Sequence, residues 1–192
     1  MGVLLVSSDK IKAFTNINSG VDDSLLIAGI QISQDIGLQT LLGTKFYNYM
    51  LDAAQNNTLS SKETILLQDY IQPYLIQRAY YECIPELWMR TMNKGLILGN
   101  TEQGNTASPA DMKYLRNMTQ NRYEFYSQRL MDYIKDNPND FPLYFSYSSN
   151  EGMAPQKENY FSGIQIPPGQ RRLLPKGIKG YLDPSSDLLC CD

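Results

Sequence analysis

The chain contains no histidine. That removes Ser–His–Asp and Cys–His nucleophile arrangements and every zinc site that uses imidazole. Cysteine is nearly as scarce. Cys83 lies in an apolar stretch and reads as a small buried hydrophobe. Cys190 and Cys191 are adjacent, a spacing that suits neither a metal site nor a disulfide framework. Such usage fits synthesis in a reducing compartment. Trp88 is the only tryptophan. No apolar run approaches the length that spans a bilayer, and the start of the chain lacks a signal-peptide pattern. A myristoylation site would want Ser or Thr at position 6, where Val6 stands. No membrane partner is therefore expected.

Charge of either sign is also modest: 17 basic and 20 acidic residues leave a net charge of -3. Neither end of the chain carries the basic stripe that marks a nucleic-acid binder. Arg171, Arg172, Lys176 and Lys179 form a small basic cluster, read as solvated or paired with a partner's carboxylates. Acid–base chemistry is poorly provided for. Glu82 and Glu86 sit one helical turn apart, but nothing completes a site around them. Residues 99–106 have the spacing of a phosphate-binding loop, with Asn105 standing where the lysine must be. A flexible polar loop is the plainer reading. No catalytic residue, cofactor or metal is expected.

What is present divides into two parts. Residues 1–136 carry helical periodicity and are long enough to bury a core. A first helix starts near Asp22, with Leu25, Ile32 and Ile36 at helical spacing and Gly37 as its expected stop. A second spans about residues 38–55, with Leu42, Phe46, Tyr49 and Met50 on one face. Ser60 to Glu63 form a capping box opening a third helix, apolar on nearly every side, that reaches about residue 90. Pro73 and Pro85 should each kink it. Ser108–Pro109 opens a fourth helix that runs to about Asp136, after a loop with a short strand at residues 96–98. Met112, Leu115, Met118, Tyr126, Leu130 and Tyr133 form its apolar stripe. Arg122 and Arg129 lie at the stripe's edge, as snorkelling side chains or as partners in an ion pair across a subunit boundary.

Residues 137–192 are different. Pro138, Pro142, Pro155, Pro167, Pro168, Pro175 and Pro184 punctuate a segment with no helical period. Yet it carries Phe141, Tyr144, Phe145, Tyr147, Tyr160, Phe161, Leu173 and Leu174, which solvating tails lack. These residues read as the anchors of an extended assembly arm that packs on something else. The chain has 14 tyrosines, a residue enriched at interfaces. Tyr70, Tyr74 and Tyr126 suit a core, whereas Tyr144, Tyr147 and Tyr160 suit an interface.

The stretch of residues 21–47, VDDSLLIAGIQISQDIGLQTLLGTKFY, resembles the N-terminal helices of head–tail connector proteins of tailed bacteriophages, most of all those of crAss-like phages of gut Bacteroidetes. The likeness continues through DYIQPYL at residues 69–75, AYYE at 79–82 and NKG at 93–95. It covers most of residues 1–136 and little of the arm. The resemblance implies an all-α protein, a four-helix body with an extended C-terminal arm. It implies a ring, commonly of twelve copies, in the virion neck beneath the portal protein. Such a ring lengthens the channel through which genomic DNA passes and docks the next connector ring or a tail protein. It implies no catalysis, and synthesis in the bacterial host's cytoplasm. Trp88, Arg122 and Arg129 are the body residues expected at its interfaces. Two other readings stay open: another virion accessory such as a tail-hub or capsid protein, or a soluble helical binding module.

Overall fold

A computed structural model describes residues 2–92, 95–98, 108–146 and 152–156. The described chain is mostly helical, with one small hairpin. It divides into two units, Met1–Lys157 and Glu158–Asp192. Everything below concerns the first.

The chain opens with an N-terminal arm held by side-chain amides. The Leu5 N–H donates to Gln34 Oε1 at 2.8 Å, and Gln34 Nε2 donates to the Val3 carbonyl at 3.0 Å. Gln72 Nε2 donates to the Leu5 carbonyl at 3.0 Å, so amides satisfy backbone that has no sheet to join. Helix α1 (Ser8–Phe14) follows, capped by Ser7.

Helix α2 (Asp23–Ile32) runs on through a wide turn, π1 (Ser33–Leu38), into α3 (Gln39–Leu42). The expected stop at Gly37 does not occur. A Cβ there would stand 2.5 Å from Tyr74 Oη, so this glycine admits a neighbouring ring rather than ending a helix. The stop comes at Gly43, whose φ of +77° breaks the helical path. The span Asp23–Leu42 is then 20 residues long with a hydropathy of 1.2, which by length and composition alone suffices to cross a membrane. That overturns the expectation that no run approaches such a length. Half of this window is buried in the body, as in a core helix.

Helix α4 (Thr44–Asn56) ends at Asn57 in the left-handed conformation. The capping box opens α5 (Ser61–Ile65) as expected, with the Ser60 N–H donating to Glu63 Oε2 at 2.7 Å. The rod continues through π2 (Leu66–Ile71) into α6 (Gln72–Trp88). Pro73 follows directly on this wide turn, where the ladder is already shifted by one residue. Tyr74, Leu75, Ala79, Tyr80, Cys83 and Ile84 of α6 are all buried. Strand β1 (Met89–Met92) pairs antiparallel with β2 (Gly95–Leu98). Thr91 and Met92 therefore belong to a strand and not to a loop.

Ser108 caps α7 (Pro109–Asp136) through a capping box with Asp111. Helix α6 is the centre of the body, packing on α2 and on α7. A short α8 (Pro142–Phe145) ends the regular structure.

The body does not end at residue 136. Phe141 and Tyr144 are 1% and 2% exposed, among the largest fully buried side chains. Their rings meet Phe46 at 6.0 and 6.4 Å, and Phe141 also meets Tyr133 at 5.9 Å. The expectation that these two anchor an arm on a neighbouring subunit is thereby corrected. Prolines break the helical period, but Phe141 and Tyr144 return to this chain's own core.

Candidate assembly surface

The return of the chain is fixed by a strap, residues 152–156, laid across the α3–α4 corner. The Thr44 N–H donates to the Met153 carbonyl at 3.0 Å, and the Met153 N–H donates to Thr44 Oγ1 at 2.9 Å. The Gln156 N–H donates to the Thr40 carbonyl at 3.0 Å, and Tyr144 Oη donates to the Gln156 carbonyl at 3.1 Å. Pro155 is buried against Gly43, where a Cβ would stand 2.8 Å from its ring and its nitrogen.

Between α6 and α7 lies a stack of aromatic rings and guanidinium groups. The Arg78 guanidinium sits 4.8 Å from the Tyr123 ring, and that of Arg116 sits 4.3 Å from the Tyr81 ring. Arg78 also pairs with Glu82 at 2.8 Å. Glu82 is thus half of an ion pair within α6. Burial pushes Tyr74 above the ordinary phenol range. It pushes the Cys83 thiol up to about 12, with Glu86 and Glu82 adding to the shift, so little nucleophilic thiolate forms at neutral pH. Tyr47 rises to about 12 through burial and its hydrogen bond to Asp35, which is 3.0 Å away. Among the described residues no three potential metal ligands cluster. The phosphate-loop spacing at 99–106 and the basic cluster at 171–179 lie outside the described residues.

The outer side of α7 has a different character. At roughly 100° per residue, Tyr114, Met118, Arg122, Phe125 and Arg129 fall within a sector of about 80°. That sector is rotated well away from buried Thr119, Leu130 and Ile134. Tyr114 is 72% exposed and Phe125 65%. Arg122 reaches the sulfur of Met118 at 3.8 Å, and Arg129 lies 4.8 Å from the Tyr70 ring. Among the described residues no carboxylate pairs with either arginine. Tyrosine, phenylalanine, methionine and arginine are the types enriched at protein interfaces. A hollow of about 470 Å³ lined by Gln77, Asn121, Arg122, Phe125 and Tyr126 adjoins the stripe. Gln77 Oε1 is buried without a hydrogen-bond partner. A second hollow of about 560 Å³ includes Lys10, Phe14, Gln72, Gln77 and Tyr126.

Of the residues singled out from sequence, Arg122 and Arg129 belong to this stripe. Trp88 lines a separate hollow of about 310 Å³ with Tyr80, Ile84, Leu87, Met112 and Leu115. Phe145 is partly exposed, edge-on to Tyr144 at 5.1 Å. Phe141 and Tyr144 are core. Tyr147, Tyr160, Phe161, Leu173 and Leu174 lie outside the described residues. Tyr114 and Phe125 are not evident in the sequence, where the inward stripe of α7 is the stronger pattern. Their own spacing was the available signal.

No curated protein and no solved structure matches the chain. Residues 38–152 match a family described as a family of unknown function, DUF6712, and with more than half its length covered the chain belongs to that family.

Proposed function

We propose that this is a non-enzymatic virion protein: a head–tail connector whose four-helix body assembles as a ring between portal and tail. The ring extends the DNA channel and docks the next connector or tail protein. The residues beyond the strap, including Tyr160, Phe161, Leu173 and Leu174, serve as an extended arm toward neighbouring subunits. The observation that carries this reading is the outward stripe of α7. A body with an internal core also presents rings to solvent beside two guanidinium groups that have no carboxylate partner among the described residues, as a subunit does before it meets its neighbours. The likeness of residues 21–47 to phage connectors gives that assembly its place. A net charge of -3 suits a conduit along which DNA slides without sticking.

The test is to mix the full chain with a portal protein of a tailed phage that carries this chain and to image the product. A closed ring seated on the portal is expected. A chain that stays monomeric and ignores the portal favours a soluble helical module. Docking at a tail hub or capsid site instead favours the other virion roles.

A further inference from the structure

The hollows of about 560 and 470 Å³ share Gln77 and Tyr126, so they form one groove across α1, α6 and α7. Its two halves repeat one combination, an exposed ring beside a cation. The larger half has Phe14 and Lys10, and the smaller has Phe125 and Arg122. Phe14 is 69% exposed. Neither cation has a carboxylate partner among the described residues. Lys10 Nζ donates to Gln72 Oε1 at 2.7 Å, which leaves two of its protons. No carboxylate stands in the wall of either half. Asp69 of π2 and Asp132 of α7 lie outside both walls, and Asp132 accepts from Gln128 at 2.7 Å. Amides supply the rest of the polar wall. Gln77, common to both halves, has its Oε1 without a hydrogen-bond partner. The body already grips extended chain through such a group, since Gln72 Nε2 donates to the Leu5 carbonyl at 3.0 Å.

We propose that this groove receives residues 181–189 of a neighbouring copy. That segment, YLDPSSDLL, mirrors the groove: Tyr181 and Leu182 precede Asp183, and Leu188 and Leu189 follow Asp187. Each end thus brings an apolar pair and one acid to a half that holds one ring and one cation. Asp183 and Asp187 are four residues apart. Extended, four residues reach at most about 14 Å, enough to bridge two hollows with a common wall. A turn of the Gln77 amide presents its acceptor to a backbone N–H of the segment. Other parts of the chain beyond Lys157 fit less well. Residues 171–179 carry four bases, and residues 158–170 offer a single acid to two cations. The 24 residues from Lys157 to Tyr181 span at most about 80 Å, ample to reach the next copy. Repeated around a ring, such a contact gains from the high local concentration of the tethered segment. The contact rests on the ring reading above and gives its arm a seat.

The probe is a labelled synthetic peptide of residues 180–189, followed by fluorescence anisotropy. It is titrated with two full-length variants, each checked for native helicity by circular dichroism. Asp183→Lys with Asp187→Lys keeps the groove and spoils the segment; Lys10→Glu with Arg122→Glu does the reverse. The first is expected to bind the peptide, and the second on the order of 10-fold more weakly or worse. By light scattering each should self-associate less than wild type. A chain with all four changes should regain association, because the signs match again. A peptide that binds both variants alike, or a four-change chain no better than its parents, overturns the match of groove and segment. Oligomers of both variants equal to wild type overturn the contact and leave the ring intact. Peptide binding beside a strictly monomeric wild type puts the segment on its own body and overturns the neighbour as its host. A peptide of residues 158–170 that binds instead gives the groove to another part of the arm. A groove variant that loses only its docking to portal or tail gives the groove to another protein, and either result overturns the proposal. A wild-type chain that stays monomeric with and without portal, and binds no peptide, removes the ring reading and this contact with it.

Discussion

Replacing Gly43 with alanine tests the corner at which the returning chain closes on the body. Gly43 has φ +77° and ψ 155°, a region that side-chain-bearing residues essentially avoid. Holding alanine there costs about 1–3 kcal/mol. A second effect adds to the strain. The new Cβ would stand 2.8 Å from Pro155 Cδ, Cγ and N, and the nitrogen is backbone that no rotamer change can move. The strap must shift, which weakens the hydrogen bonds that join Thr40 and Thr44 to Met153 and Gln156. At about 0.5–1.5 kcal/mol net for each bond, a partial loss adds about 1–2 kcal/mol. The expected total is about 2–5 kcal/mol, read as a fall in the urea midpoint by far-UV circular dichroism. Amide exchange at Thr44 and Gln156 should accelerate as well. Pairing the change with Pro155→Gly separates the two effects, because a strap already loosened has less to lose. The double variant should cost less than the sum of the singles. A Gly43→Ala protein within about 0.5 kcal/mol of wild type, with unchanged exchange, would refute this account of the corner.

Two further outcomes follow from the burial of the returning segment and from the capping box. Ending the chain after Asp136 removes Phe141 and Tyr144 from the core and should unfold or severely weaken the body, whereas ending it after Lys157 should leave the helices intact. Phe141→Ala in the full chain should cost about 3–5 kcal/mol by urea titration, and near-neutral results would place its ring outside the core. Burial alone would raise the Glu63 carboxyl, but hydrogen bonds from the Ser60 backbone and from Tyr49, the latter at 2.7 Å, outweigh it and hold the group below its ordinary 4.5. Its folded value lies below its unfolded one, so its stabilisation is present above about pH 4.5 and is lost as pH falls through the folded value. Melting curves of wild type and Glu63→Gln should therefore differ, by about 1 kcal/mol, at neutral pH and converge in acid; a difference independent of pH would defeat that assignment.

Local chemistry was the legible part of this fold. Ser60 with Glu63, and Ser108 with Asp111, announce helix starts because their side chains meet the free N–H groups of the first turn. Gly37 and Gly43 look alike in sequence, yet one accommodates Tyr74 inside a continuing helix and the other breaks it. The difference lies in a ring contributed from residue 74, which no local window contains. Phe141 and Tyr144 were misplaced for a related reason. A proline-punctuated segment has no period, and only Phe46 and Tyr133 reveal where these two rings go. The outward stripe of α7 was half legible. Arg122 and Arg129 stand out in sequence as charges beside an apolar face, whereas the exposure of Tyr114 and Phe125 shows only in the fold.

The strap also determines how mechanical load enters the molecule. Residues 152–156 are clipped to residues 40–44, so the two ends of the family-matched stretch meet at one corner. A pull on Gln156 is shared at once between its N–H bond to the Thr40 carbonyl and its carbonyl, which accepts from Tyr144 Oη. Tyr144 is itself a core ring, so the clasp and the aromatic core take the load together. The corner thus works as a coupling, and loosening the strap loosens the core behind it.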